Sequence, residues 1–512
     1  MKLKEFINQI DGKLLTGSEE TEFGNICRDS RIIKKGETYI ALKGENFDAN
    51  DFAAEAIKNG AKLCIISEEK NDVTEEAKKE GVTLVLVKDT LEALQEIAKY
   101  KRSLYNIPVV AVTGSVGKTS TKDIIASCLS AKYNVLKTQG NMNNFLGVPL
   151  TILNLKDEDL MVVEMGMNHF GELSKLTNIV KPTISVITNI GTAHIGNLGS
   201  RENILKAKLE ILEGMQEKVL VINNDNDLLH EYYLKNKDNK EIKIFTYGIE
   251  NQSDIMAKDI VLNEDNSEFI CEVSEEFIKE KQQDYFASNN GTNDFNNSAN
   301  NGSSTNNKIK SSCNEIENIN NQENIFKIEV PVGGIHFVYN AICSVLVGKL
   351  LNLSDAEIVR GIKSFKPTKN RMDITKLKNG VTIINDSYNA SLDSMAMLLK
   401  YLQSYNAERK IAVLGDMLEL GEYSEELHRK VGAEVQKNNI DILITQGENS
   451  KFIADEAIKN GMQKENVFSF NTRDEIFNFI KENWKEGDCI LFKASNGMKF
   501  FEIADKLIKE NR

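Results

Sequence analysis

The sequence predicts an α/β protein of three domains, and three observations carry that reading. Apolar strand signals and amphipathic helix signals alternate in three successive blocks. One strand runs straight into a glycine-containing turn that ends in lysine and threonine and opens a helix. The chain has 512 residues, too many for one core when a domain holds about 100–200.

The first block covers residues 1–103. Thr38–Leu42 and Lys62–Ser67 read as short strands, and Asp51–Asn59 and Leu91–Leu104 as helices with a 3.6-residue period. The second covers residues 104–365 and opens on the apolar strand Ile107-Pro-Val-Val-Ala-Val-Thr. Leu160–Met165, Thr183–Asn189 and Lys218–Asn223 are further strands, with helices such as Glu202–Met215 between them. That alternation implies a parallel sheet covered by helices on both faces. The third covers residues 366–512, with strands Val381–Asn385, Lys410–Leu414, Asp441–Thr445 and Asp488–Phe492 separated by amphipathic helices. It reads as a second doubly wound, Rossmann-like sheet.

Residues 284–324 break the pattern. Asn, Ser, Gly and Thr dominate there, and such a segment buries too little apolar surface to offset the entropy of ordering it. It is expected to be a disordered insertion, an overgrown hairpin loop between the strands Phe269–Val273 and Ile325–Val330.

The formal net charge of −13 argues against a general nucleic-acid or anionic-membrane binder, though not against a local phosphate pocket. Seven scattered cysteines without a C-x-x-C pair read as reduced thiols. The N-terminus Met1-Lys-Leu-Lys-Glu-Phe lacks the apolar stretch of a signal peptide, and no run nears the ~18 apolar residues of a membrane span. A cytoplasmic protein with no stable membrane insertion is expected.

The chemistry centres on Thr113-Gly-Ser-Val-Gly-Lys-Thr. Its glycines let backbone N–H groups approach a phosphate, and the helix that follows adds a favourable partial charge. Gly114, Ser115, Val116, Gly117, Lys118, Thr119 and Ser120 are the expected nucleotide-binding residues. Lys118 can reach the β- and γ-phosphates, and the Thr119 hydroxyl can ligate Mg²⁺. The strict P-loop pattern wants a glycine at position 112, where this chain has valine; an ordinary tight turn, however, would not need the lysine.

Glu164 ends the apolar strand Met161-Val-Val-Glu, where a Mg²⁺ ligand beside a P-loop belongs; the bland alternative is a surface glutamate. Thr188-Asn-Ile-Gly-Thr-Ala-His194 also follows a strand. His194 is one of only five histidines, so a metal or phosphate role competes with a structural one. Lys206, Lys208 and Glu210 follow on the next helix. A solvated lysine is the default there, since ammonium repels Mg²⁺; the alternative is a neutral amine that captures CO₂ to become an anionic carbamate. Asn143 and Asn144, in Gly140-Asn-Met-Asn-Asn-Phe-Leu-Gly, can donate and accept toward a polar acyl or peptide substrate. Asp386 follows a strand of the third block and can meet a ribose or a cation.

Together these residues resemble the Mur ligase family over nearly the whole chain outside residues 284–324. The blocks Arg28–Gly44, Gly140–Thr151, Glu164–Glu172, Thr188–Ser200, Asn385–Ser394 and Gly415-Asp-Met-Leu-Glu-Leu-Gly occur in family order. The resemblance implies a UDP-substrate domain, a central ATP-binding domain and a mobile C-terminal domain. It also implies ATP-dependent ligation through an acyl phosphate, for the purpose of cell-wall precursor synthesis. The forms Thr-Asn-Ile-Gly-x-Ala-His and Gly-Asp-Met-Leu-Glu-Leu-Gly point within the family to the member joining D-alanyl-D-alanine to UDP-N-acetylmuramoyl-tripeptide. The alternatives are a sibling that adds single amino acids or a folylpolyglutamate-type ligase.

By residue, the resemblance implies Thr119 and Glu164 on one Mg²⁺, and His194 with carbamylated Lys208 on a second. Lys118, His194, Lys208 and Arg371 would be catalytic. His336 and Asn340 would meet adenine, Asp386 the nucleotide, and Ser30 and Arg31 the uridine end of the substrate. A monomer is expected. Phe337 stands where Asn is common in the family, Ala49-Asn50 where Gly-His is frequent, and Ala494 and Asn496 where Gly and Arg are usual.

Overall fold

The computed structural model describes residues 1–44, 47–281 and 324–511. Its strands form three sheets, so the expected hairpin loop at 284–324 lies almost wholly outside the described residues. The N-terminal sheet has five strands, β1 (Lys13–Thr16), β2 (Ile26–Cys27), β3 (Thr38–Ile40), β4 (Leu63–Ile66) and β5 (Thr83–Leu86), in the order β1-β5-β4-β3-β2. Only the β1–β5 pair is antiparallel.

The central sheet has nine strands: β6 (Val109–Thr113), β7 (Val135–Lys137), β8 (Leu160–Glu164), β9 (Ile184–Ile187), β10 (Lys218–Asn223), β11 (Ile242–Gly248), β12 (Ile255–Leu262), β13 (Ser267–Val273) and β14 (Ile325–Val330). Their order is β14-β13-β12-β11-β10-β9-β6-β8-β7. The seven from β6 to β12 run parallel. At one edge the parallel sheet is extended by an antiparallel pair, β13 against β12 and β14 against β13, as the expected hairpin relation of the last two requires. These two are the strands flanking the Asn-rich segment, paired from Ser267↔Val330 to Glu272↔Ile325.

β6 is buried along its whole length, which explains its unbroken Val-Val-Ala-Val: a strand covered on both faces has no polar side to present. Pairing aligns Val112 with Glu164 and Thr113 with Ile187. Three successive strand ends therefore reach one edge together, the carboxyl edge where open α/β sheets hold ligands.

The C-terminal sheet has six strands, β15 (Asp373–Lys376), β16 (Thr382–Asn385), β17 (Arg409–Gly415), β18 (Ile442–Gln446), β19 (Val467–Phe470) and β20 (Asp488–Lys493), in the order β15-β16-β20-β17-β18-β19. Only β15 is antiparallel to its neighbour. The N-terminal unit sits on the central one through apolar packing: Leu150 of helix Gly147–Leu153 shares a core with Leu94 and Ile97 of helix Thr90–Ser103. The six described cysteines are buried and unpaired. No described helix is long and apolar enough to cross a membrane.

Candidate active site

The carboxyl ends of the central and C-terminal sheets face one cleft of about 660 Å³. Its floor is the turn after β6. Gly114 has φ of 154°, and a Cβ there would lie 1.9 Å from Thr188 Oγ1, so only glycine lets the turn pack against the β9 loop. Gly117, at φ 80°, starts helix Lys118–Leu129. Asn189 braces the turn: its Oδ1 accepts from Val116 N at 2.9 Å, and its carbonyl accepts from Ser115 N at 3.1 Å. Ser115 Oγ in turn accepts from Gly191 N at 2.9 Å. Ser115 to Ser120 all line the cleft, with Gly114 just behind them.

Lys118 Nζ donates to the Gly114 carbonyl at 2.8 Å. Burial lowers the pKa of this ammonium, opposed by the charge of Glu164. Thr119 Oγ1 donates to Glu164 Oε2 at 2.8 Å, and Asn143 Nδ2 donates to Glu164 Oε1 at 2.7 Å. Glu164 is buried, so it is a fixed carboxylate with both oxygens partnered. A surface glutamate is excluded.

A hydroxyl and a carboxylate this close are hard oxygen donors suited to Mg²⁺. Among the described residues no three His, Cys, Asp or Glu side chains converge as a metal cluster. A cation held here would complete its shell with phosphate oxygens and water, as Mg²⁺ at nucleotide sites does. Asn144 lines the same cleft, but its Oδ1 accepts from Gly147 N at 2.9 Å and so anchors the start of helix Gly147–Leu153.

Lys208 is buried, whereas Lys206 on the same helix is exposed. The Lys208 ammonium has no hydrogen-bond or ion-pair partner among the described residues. Desolvation pushes its pKa well below the ordinary value, and the charge of Lys118 pushes the same way. The solvated-lysine reading fits Lys206 and fails for Lys208. Glu210, third of that group, accepts from Gly171 N at 2.8 Å and anchors helix Glu172–Val180.

His194 lines the cleft with φ of 64°. Burial lowers its pKa, partly countered by Glu419. Its Nδ1 stands 2.8 Å from Glu419 Oε2, off the line of a well-aligned hydrogen bond. Glu419 belongs to the Gly415–Gly421 block of the C-terminal unit, so that block acts at the domain boundary. Its Asp416 instead caps helix Ser450–Lys459, accepting from Ser450 N at 2.7 Å. A second bridge crosses nearby, where Asp393 Oδ2 accepts from Thr192 N at 2.9 Å and Thr192 Oγ1 at 3.0 Å.

The C-terminal wall carries Arg371, whose guanidinium lies 4.1 Å from the Tyr388 ring centre. Asp386 Oδ2 accepts from buried Lys493 Nζ at 2.6 Å, and its Oδ1 from Met372 N at 2.9 Å. His336 and Asn340 line the cleft from helix Ile335–Leu350 of the central unit. Asn340 Oδ1 accepts from Thr121 Oγ1 at 2.9 Å. His336 Nδ1 is buried without a partner, and burial lowers its pKa to about 4.

Ser30 and Arg31 do not line the cleft. They sit in the N-terminal unit, where Ser30 Oγ donates to Glu55 Oε2 at 2.5 Å and Arg31 forks onto Asp29 at 2.8 and 2.7 Å. Asn189, Thr192, Asp393, Glu419 and Lys493 are site residues the sequence reading did not single out. The signal that could have found Asn189 was its place in the quoted Thr188–His194 loop.

Comparison with known proteins covers almost the whole chain. Residues 22–102 match the Mur ligase family catalytic domain, residues 112–293 the Mur ligase middle domain, and residues 370–496 the Mur ligase glutamate ligase domain. The chain is 33% identical to UDP-N-acetylmuramoyl-tripeptide–D-alanyl-D-alanine ligase of Bacillus subtilis (strain 168), covering 99% of this chain and 98% of that protein. It is likewise 33% identical to the protein of that name in Synechocystis, covering 96% and 94%. Among solved structures it superposes on MurF of Acinetobacter baumannii with a TM-score of 0.78, 26% identity and coverage of 99% and 98%. For MurF ligase of Thermotoga maritima in complex with ADP, the TM-score is 0.74, with 25% identity and coverage of 95% and 97%.

Proposed function

The chain belongs to the Mur ligase family, and on that premise we propose that it joins D-alanyl-D-alanine to UDP-N-acetylmuramoyl-tripeptide. The reaction uses ATP and passes through an acyl phosphate, in cytoplasmic peptidoglycan precursor synthesis. The observation that carries the reading is the Thr119–Glu164 pair at the mouth of the phosphate turn, in a cleft completed by the C-terminal unit. A kinase would need the turn but not that composite cleft.

Lys118 and the first N–H groups of helix Lys118–Leu129 hold the β- and γ-phosphates. Thr119 and Glu164 would hold Mg²⁺, which would neutralise phosphate charge. A peptide carboxylate oxygen attacks the γ-phosphorus, the bond to ADP breaks, and an acyl phosphate forms. The amine nitrogen of D-alanyl-D-alanine then attacks the acyl carbon, phosphate leaves, and the nitrogen loses a proton. Arg371 offsets charge on the transferred phosphoryl group, while Asp386 and His336 flank the nucleoside. Asn143 keeps Glu164 pointed at the turn. Ser30 and Arg31 face the uridine end, away from the chemistry.

Lys208 serves as a carbamate. Its buried amine, depressed in pKa, forms an N–C bond to CO₂ and releases one proton. The resulting anion sits beside Lys118 and His194, where an ammonium is opposed.

The test is phosphate release by the purified protein with ATP, Mg²⁺ and the UDP-linked tripeptide. D-alanyl-D-alanine is expected to support release and single amino acids are not. Release with a free amino acid alone would assign the chain to a sibling activity.

A further inference from the structure

The linker between the central and C-terminal units changes hands at a single peptide bond. Phe365 is buried in the central core. Thr368 Oγ1 donates to Asp123 Oδ2 at 2.6 Å, and Asp123 stands one turn beyond Thr119 on helix Lys118–Leu129. The next residue, Lys369, pairs with Asp505 at 2.8 Å on helix Phe501–Asn511 of the C-terminal unit. Asn370 Oδ1 then accepts from Asn385 Nδ2 at 3.0 Å, and Met372 N donates to Asp386 Oδ1 at 2.9 Å. Up to Thr368 the linker is bound to the central unit, and from Lys369 onward to the C-terminal one.

Asp123 is unusually firm for a linker contact. It is 4% exposed and is gripped by Lys137 Nζ at 2.6 Å and Lys122 Nζ at 3.0 Å. Lys122 Nζ also donates to the Thr138 carbonyl at 2.8 Å, and Thr138 Oγ1 accepts from Glu164 N at 3.0 Å. One polar network thus runs from the backbone N–H of Glu164, beside the phosphate turn, to the linker.

We infer that the Thr368–Lys369 bond is the pivot of the C-terminal unit, with Asp123 and Thr368 as positioning residues that fix where Arg371 enters the cleft. Arg371 lies three residues past Thr368, between Asn370 and Met372 at φ of 61° and 54°. That constrained stretch transmits any slack at Thr368 to the guanidinium. A misplacement of about 1 Å near a reacting centre costs on the order of 10²-fold in rate. Loss of one hydrogen bond that leaves the fold intact should cost less.

This inference rests on the proposed ligase reaction, and its test separates the two. Thr368→Val keeps the shape and removes the hydroxyl; Thr368→Ser restores it. Thr368→Val is expected to lower kcat for amine-dependent phosphate release about 10-fold with KM for ATP within about two-fold. Thr368→Ser should return to within about two-fold of the parent. Fluorescence energy transfer between dyes on the two units should show a broader distance distribution for Thr368→Val alone. Parent-like kcat and distances in Thr368→Val would overturn the pivot, as would a loss that Thr368→Ser does not restore. If the parent itself releases no phosphate with D-alanyl-D-alanine, the proposed reaction fails, while the distance measurement still decides the pivot.

Discussion

His194 and Glu419 meet across the boundary between the central and C-terminal units, Nδ1 to Oε2 at 2.8 Å, and both hold left-handed backbones, φ 64° and 65°. Such a conformation costs a non-glycine residue roughly 1–3 kcal/mol and persists only where its surroundings enforce it. Glu419 is more than half exposed, at 56%, so the pair adds little to stability. Glu419→Gln should therefore lower kcat about 5- to 10-fold while shifting Tm by less than about 2 °C. Steady-state kinetics with a thermal melt checks this. Unchanged kcat would reduce the contact to a bystander.

Glu164 has both carboxylate oxygens committed, to Thr119 and Asn143. Glu164→Gln keeps the shape and removes the charge. It should lower kcat on the order of 10²-fold or more and raise the Mg²⁺ concentration needed for half-maximal rate. Chelation should abolish phosphate release in the parent. A Mg²⁺ titration midpoint unmoved by the substitution would rule Glu164 out as a ligand.

Lys208 has no counter-charge in a buried position. Lys208→Met, which fills similar volume without the amine, should leave thermal stability equal or higher and abolish ligation. Lys208→Ala should regain activity when a short carboxylic acid is added. The intact protein should also carry the mass of one extra CO₂ when prepared in bicarbonate. Full activity in Lys208→Met would sink the carbamate role.

His336 is held at about 4 against an ordinary value near 6.5, because its buried ring loses more by ionising than it gains from Asp386. Between those values the unfolded chain binds a proton that the folded imidazole refuses, so stability rises with pH there. The contribution is intact above about 6.5, falls as pH drops toward 4, and flattens below. At pH 5 the loss is about 2 kcal/mol. Urea unfolding at pH 7.5 and pH 5 should show a smaller drop for His336→Gln than for the parent. Equal drops would refute the assignment.

The loops after β6, β8 and β9 were legible in the sequence because each follows a short apolar run and carries residues of unusual chemistry at its end. Parallel pairing then brings such ends to one edge without further instruction. The contacts that assemble the cleft were not legible. Thr192–Asp393 spans 201 positions between the units and Lys493–Asp386 spans 107 within the C-terminal one, and no period or spacing encodes either meeting. β7, β11 and β12 of the central sheet, and the short strands β1, β2, β5, β15 and β19 of the other two, were passed over, and the antiparallel course of β13 and β14 was visible only in their hairpin relation. Lys206 and Lys208 looked alike in sequence; burial separates them.

Four side-chain-bearing residues around this one cleft, His194, Asn370, Met372 and Glu419, occupy backbone conformations that glycine would adopt freely. All four lie where the two units meet. His194 and Glu419 face each other across the boundary, whereas Asn370 and Met372 are tied down within the C-terminal unit by Asn385 and Asp386. The backbone at this seam is therefore fixed residue by residue, and the cleft inherits its shape from conformations that side chains other than glycine seldom adopt.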